Sequence, residues 1–261
     1  MDQKLKFAKN LAAKSGQKIV KGLGNLKVVK HKDIRDIALN LDYQIEKFIV
    51  AELTKKFPQH NIIMEEGQQI NNKSDFTWII DPIDGTKYLK NGIKMYNVSI
   101  GLWYKNKPFL GVVYDPNSKD CYWAEKGKGS FFNGTRLHVS KVNKIAKAMI
   151  ALDINNMHKL NQPERNIFEK SLLKITRNFY RFRCFGSGTL PLSFLAQGHL
   201  DALFDLTGQQ NFYDLGASLV IAQEAGAKIT DLDGKFPSMD CSNILVTNGL
   251  IHQQVLKVLK K

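Results

Sequence analysis

Two aspartates three residues apart, Asp81 and Asp84, close an apolar run and open a tight turn in Trp78-Ile79-Ile80-Asp81-Pro82-Ile83-Asp84-Gly85-Thr86. Pro82 fixes its own φ, and Gly85 lets another backbone come close. Carboxylates delivered together by an apolar strand repel one another, which destabilises the fold unless a cation sits between them. Oxygen donors with no histidine or cysteine among them select a hard ion, Mg²⁺ or one like it. Gly85-Thr86 then begins a helix whose first N–H groups suit a phosphate. An isolated Asp-x-x-Asp-Gly is more often a plain turn, but the apolar strand in front of this one weighs against that reading.

The elements that must hold this turn can be placed from periodicity. Leu5, Ala8, Leu11, Ala12 and Ile19 make an amphipathic helix over residues 1–23, with neither a signal peptide nor a membrane span. Leu41, Ile45, Phe48, Ile49 and Leu53 keep helical spacing within 33–57, and Pro58 ends that helix. Short buried strands follow at 61–64 and 76–80, each running into acidic residues: Glu65 and Glu66, then Asp81 and Asp84. Residues 96–139 read as a meander, with strands at 96–104, 109–114, 121–124 and 131–139; Asn133-Gly134 is the strongest hairpin signal. The second half alternates: strands at 148–152, 179–185, 201–204, near Ile229 and at 244–246, and helices at 164–175, 188–197, 213–225 and the C-terminus. Such alternation predicts an α/β fold, with an N-terminal lobe over 1–143 and a C-terminal lobe over 144–261.

The bulk numbers fit a folded enzyme. The chain has 261 residues, 43% of them hydrophobic, and 38 basic against 24 acidic side chains give a formal charge of +14. The excess is lysine scattered along the whole chain, without an arginine-rich arm. It therefore supplies a positive field for a small anionic substrate and makes nucleic acid a secondary partner at most. Cys121, Cys184 and Cys241 form no Cys-x-x-Cys pair, and an odd count argues against a disulfide framework, so a reducing cytoplasm is expected.

Asp81-Pro82-Ile83-Asp84-Gly85-Thr86 matches residue for residue the central signature of the inositol monophosphatase family, which the chain resembles from about Asp33 to its C-terminal helix. Gly111-Val112-Val113-Tyr114 and Gly127-Lys128-Gly129-Ser130-Phe131 extend the likeness. The resemblance implies a layered α-β-α-β-α sandwich of the sugar-phosphatase type. It also implies two or three Mg²⁺ ions held by Glu65, Asp81, Asp84, the Ile83 carbonyl and Asp214, the last supplied by the second lobe. Tyr213 stands where the family usually has tryptophan. Asp42, with the Thr86 hydroxyl, resembles the pair that orients the attacking water, Glu65 also serving the chemistry, and Asp36 keeps its family spacing at the start of the second helix. Lys30 stands for the family's lysine near the metals. Gly85, Thr86, Gly188 and Thr189 resemble substrate-binding positions, with Ser187 or Thr189 also capping a helix. Asp205 stands for a sugar-contacting glutamate, two extra residues around 208–210 separating it from Asp214.

The implied activity is hydrolysis of a small sugar-like phosphate, inositol monophosphate first, by a lithium-sensitive homodimer. Lys87, directly after Thr86, resembles the 3′(2′),5′-bisphosphate nucleotidases instead, and fructose 1,6-bisphosphate is a third substrate to test. Some bacterial relatives resemble transcription or ribosome-assembly accessories, which keeps a non-enzymatic, RNA-associated role as the alternative of a different class.

Overall fold

A computed structural model describes residues 2–33, 36–154, 156–208, 212–238 and 243–260. Cys241 lies outside the described residues, as do 209 and 210 of the expected insertion. The chain divides into two units, Met1–Arg136 with Tyr213–Ile221, and Leu137–Phe212 with Ala222–Lys261. The expected boundary near 143 thus falls at 136/137. The segment bearing Asp214, expected in the second lobe, is part of the first unit, which corrects that assignment.

The first unit opens with helix α1 (Gln3–Gly22), then hairpin strands β1 (Val28–Asp33) and β2 (Asp36–Leu39), and helix α2 (Asn40–Lys56). The second helix therefore begins at Asn40 rather than near 33, and Asp36 lies on a strand. Asp42 causes that start. Its Oδ2 accepts the Leu39 N–H at 2.7 Å, satisfying one of the donors that every helix start leaves open. Strands β3 (Asn61–Ile63) and β4 (Phe76–Asp84), the short helix α3 (Thr86–Lys90), and β5 (Asn97–Tyr104), β6 (Lys107–Tyr114), β7 (Cys121–Glu125), β8 (Gly129–Phe132) and β9 (Thr135–Arg136) complete it. They form one sheet in chain order from β3 to β9. The meander is antiparallel from β4 onward, but β3 pairs parallel to β4. Asn133 and Gly134 both take positive φ, 49° and 90°, as the expected β8–β9 hairpin turn requires.

Period-two alternation gives this sheet two different faces. Trp78 and Ile80 of β4, Val98, Ile100 and Leu102 of β5, and Leu110 and Val112 of β6 pack into one core with Leu5, Ala8, Leu11 and Ile19 of α1 and Ile45, Ile49 and Leu53 of α2. The opposite face receives residues 213–221. A Cβ on Gly101 would lie 2.9 Å from the Ala217 nitrogen, and one on Gly111 only 2.2 Å from the Ala217 carbonyl oxygen. Glycine at these two strand positions is what lets that backbone lie against the sheet. Trp103, on the same face, fixes it by donating its Nε1–H to the Gly216 carbonyl at 2.9 Å.

The second unit carries β10 (Met149–Asp153), α4 (Gln162–Asn178), β11 (Arg181–Arg183), α5 (Thr189–Ala196) and β12 (Ala202–Asp205). After α6 (Gly216–Glu224), which starts in the first unit, come β13 (Lys228–Asp231), β14 (Ile244–Thr247) and α7 (His252–Lys260). Its sheet runs β11-β10-β12-β14-β13. β10 pairs parallel to both β11 and β12, and β14 pairs antiparallel to β12 and β13. The α/β class read from the sequence is the class observed. Among the described residues no helix is long and apolar enough to cross a membrane.

His252, 1% exposed, ties this second sheet to α7 in one protonation state. The Thr230 hydroxyl donates to the Asp231 carbonyl, so at 3.0 Å it accepts from His252 Nε2–H. The Thr247 hydroxyl accepts from the Gly249 N–H and donates to His252 Nδ1 at 2.9 Å. Burial, with Lys228 nearby, pushes the imidazole pKa down to about 4 from its ordinary 6.5. The neutral ring's contribution is therefore complete above pH 6.5 and is lost as pH falls toward 4, with a slope of about 1.4 kcal/mol per pH unit. Urea midpoints taken between pH 7 and 4.5 are expected to fall more steeply for the wild type than for His252→Gln. Equal slopes would rule this histidine out as the source.

Candidate active site

The acidic cluster follows from strand geometry. β3 and β4 are parallel with Ile63 opposite Ile79, so two residues further on Glu65 comes level with Asp81. Parallel neighbours end at the same edge, which brings Glu65, Glu66, Asp81 and Asp84 to one end of the sheet. An i, i+3 pair on a regular strand would point to opposite faces. Here the β4–β5 register slips between Asp81, opposite Ser99, and Asp84, opposite Asn97. That one extra residue restores both aspartates to one side while Ile83 returns to the core. Ile79, on the same face as Asp81, would meet a Cβ on Gly216 at 2.5 Å, so the segment carrying Asp214 approaches from that face.

The charges respond to this crowding. Asp81 is held well above the ordinary carboxylate range, first by burial and then by Glu65, Asp84 and Asp214. Glu65 is raised too, mainly by burial, with Lys32 opposing. The Lys32 ammonium lies 2.5 Å from Glu65 Oε1 and 2.5 Å from Glu66 Oε1. Burial lowers that lysine's pKa, but the two glutamates outweigh burial and hold it above its ordinary value. Burial also raises the Tyr213 phenol, with Asp214 and Glu65 adding to it, so this side chain stays neutral beside the cluster.

Beside the acids sits a second pair. The Thr86 hydroxyl lies 2.9 Å from Asp42 Oδ1 and 2.9 Å from the Ile83 carbonyl, with one proton to give between them. Burial, against the Leu39 and Thr86 hydrogen bonds, lifts the Asp42 pKa to about 7. Asp81 Oδ1 accepts the Ile83 N–H at 3.0 Å and Asp84 Oδ2 the Asn97 amide at 3.2 Å, so both aspartates are aimed by fixed donors. Gly85 has φ +91°, and a Cβ there would lie 2.4 Å from the Met95 carbonyl oxygen, so the turn requires glycine.

Among the described residues no three acidic, histidine or cysteine side chains form a ready-made metal cage. Lys32 supplies one positive charge to the cluster, against Glu65 and Glu66. An all-oxygen set carrying more negative charge than burial tolerates nevertheless fits a hard divalent cation.

Several expectations change. Lys30 is exposed on β1, and it is Lys32, two residues on, that reaches the acids. Asp36 and Lys87 pair with each other at 3.1 Å on the surface. The helix expected after Gly85 is a single turn of five residues. Gly188 is the N-cap of α5 and makes no side-chain cap, so neither Ser187 nor Thr189 is the capping residue. Gly188, Thr189 and Asp205 lie in the second unit, where both bonds to Asp205 Oδ1 that bend the chain come from Thr207, at 2.7 Å each. Lys32, Asn97 and Glu46 were not singled out by sequence. Glu46 could have been, since it sits four residues after Asp42 on the same helix face.

The profile of the inositol monophosphatase family matches the chain over residues 1–261. The chain belongs to that family. It is 32% identical over 259 residues to a Thermotoga maritima fructose-1,6-bisphosphatase/inositol-1-monophosphatase, covering 99% of this chain and 96% of the relative. It is 32% identical over 251 residues to the Nus factor SuhB of Vibrio cholerae, covering 95% and 92%. The solved structure of the extragenic suppressor protein suhB from Bartonella henselae superposes with a TM-score of 0.87 at 30% identity, covering 97% of this chain and 96% of that one. Like other members of the inositol monophosphatase family, this protein is a metal-dependent phosphoric monoester hydrolase.

Proposed function

We propose that the protein hydrolyses a small sugar-like phosphate monoester, with inositol monophosphate as its first substrate, using two or three Mg²⁺ ions. The observation that carries this reading is the meeting of Glu65 and Asp81, under the fields of Asp84 and Asp214, beside the buried Asp42–Thr86 pair. Glu65, Asp81, Asp84, Asp214 and the Ile83 carbonyl would hold the ions. When bound, Mg²⁺ neutralises phosphate oxygens and makes a water easier to deprotonate. The chain's own residues do the rest. Asp42 Oδ1 accepts the hydrogen bond that the Thr86 hydroxyl donates, which leaves that hydroxyl a lone pair to accept a hydrogen bond from the attacking water. The Ile83 carbonyl then keeps its lone pairs for a cation. Water adds to phosphorus opposite the ester oxygen as the phosphorus–ester bond breaks; one of the water's protons stays on the phosphate product and the other ends on the leaving alcohol oxygen. Gly85, Gly188, Thr189 and Asp205 are assigned to the substrate. The same reading makes the protein a lithium-inhibited cytoplasmic homodimer.

A second reading, association with nucleic acid, is favoured by one surface feature. Lys6, Lys14, Lys18 and Lys21 follow one face of α1 and are all exposed, and Lys18 covers the Phe48 ring at 4.5 Å. One experiment separates the two readings: phosphate release with Mg²⁺ from inositol 1-phosphate, adenosine 3′,5′-bisphosphate and fructose 1,6-bisphosphate, beside RNA binding at graded salt. Fastest release from inositol 1-phosphate, abolished by chelator and inhibited by lithium, is expected. No release from any of the three, with RNA binding that falls steeply with salt, would replace the first reading by the second.

A further inference from the structure

We propose that Glu46 is a positioning residue for the acidic cluster, holding the Glu65–Glu66 turn in the shape that presents Glu65 to a divalent cation. This rests on the metal reading above and deepens it. Glu46 lies one helical turn after Asp42 and is 4% exposed. Its Oε2 accepts the Glu66 backbone N–H at 2.7 Å. The turn closes tightly over it: a Cβ on Gly67 would lie 2.9 Å from Glu46 Oε1 and 2.9 Å from Met64 Sδ. The Glu66 side chain is in turn engaged by Lys32, whose ammonium lies 2.5 Å from Glu66 Oε1. Glu66 is thus held at backbone and side chain, and Glu65 is left turned toward Asp81.

Burying a third carboxylate beside Glu65 and Glu66 is unfavourable in itself. A side chain serving only the core at this position would be apolar, like its neighbours Ile45 and Ile49. The hydrogen bond that Glu46 accepts ends instead on the turn that carries Glu65. Supporting groups of this kind change metal affinity by about 10- to 100-fold when removed.

The test uses the full chain with Mn²⁺ as probe, its binding read by electron paramagnetic resonance, and thermal unfolding in chelator as a separate readout. Glu46→Ala is expected to raise the Mn²⁺ dissociation constant by about 10- to 100-fold, and Glu46→Gln, with one acceptor left, by an intermediate factor. KM measured at saturating metal should stay within about twofold, because the defect lies in metal capture. If Glu46→Ala does not fold, Glu46→Gln decides. Wild-type Mn²⁺ affinity in the folded Glu46 variant, alongside loss of binding in Glu65→Gln, overturns the positioning role and leaves the metal site standing. Unchanged binding in Glu65→Gln itself would overturn both.

Discussion

Asp81→Asn is expected to lower metal-dependent turnover by on the order of 10³-fold while raising the melting temperature in chelator. The two effects share one cause. Asp81 is buried among Glu65, Asp84 and Asp214, so its charge is useful to a cation and harmful without one. Asparagine satisfies the local hydrogen bonds without that charge. Its Oδ1 can accept the Ile83 N–H as Asp81 does now, and its amide can donate toward the neighbouring Glu65. Replacing buried ionic groups by uncharged side chains of similar volume is often neutral or stabilising by about 1–4 kcal/mol, and relief of like-charge repulsion places this substitution on the stabilising side. For a chain of this size that is a rise of several degrees. The measurement is a pair of unfolding curves in EDTA with initial rates at saturating Mg²⁺. A lower melting temperature in EDTA would mean that the cluster is not under charge strain, and undiminished turnover would remove Asp81 from the reaction.

The aspartates were legible because an apolar strand ending in Asp-Pro-Ile-Asp-Gly has few solvated uses. What aims them was not. The slipped register that returns Asp84 to the side of Asp81 is a pairing property of β4 and β5, and no residue type announces it. The polar run around Lys30 and Lys32 has no periodicity to say which lysine turns inward, so the inward one was misassigned by two positions. Helical spacing in 33–57 hid the β1–β2 hairpin, since the helical apolar positions all lie beyond Asn40. Other signals were present and went unused. Isolated glycines within strands, at 101 and 111, mark a close backbone approach, and that approach is what brings the Asp214 segment to the first unit. A glutamate four residues after a functional aspartate, flanked by buried isoleucines, was likewise no ordinary solvated charge.

Thr86→Ala should reduce kcat by roughly 10²- to 10⁴-fold, the range typical of a lost proton-handling group, with metal affinity and KM nearly unchanged. Asp42 is wholly buried and already bonded to the Leu39 N–H, so its remaining oxygen has the Thr86 hydroxyl as its partner. Removing that hydroxyl leaves a carboxylate with no way to reach the water. Thr86→Ser keeps the hydroxyl and should recover most of the rate. Asp42→Asn should cost a similar factor by a different route: its Oδ1 can still accept from Leu39, but its amide then faces Thr86 as a donor and reverses the hydrogen bond. Two groups acting as one unit are not additive. The double variant is therefore expected to be no slower than the worse single one, because once either partner is gone the other has nothing to orient. Losses that multiply in the double variant would show Asp42 and Thr86 acting separately, and the aligned water would then have to be sought elsewhere in the site.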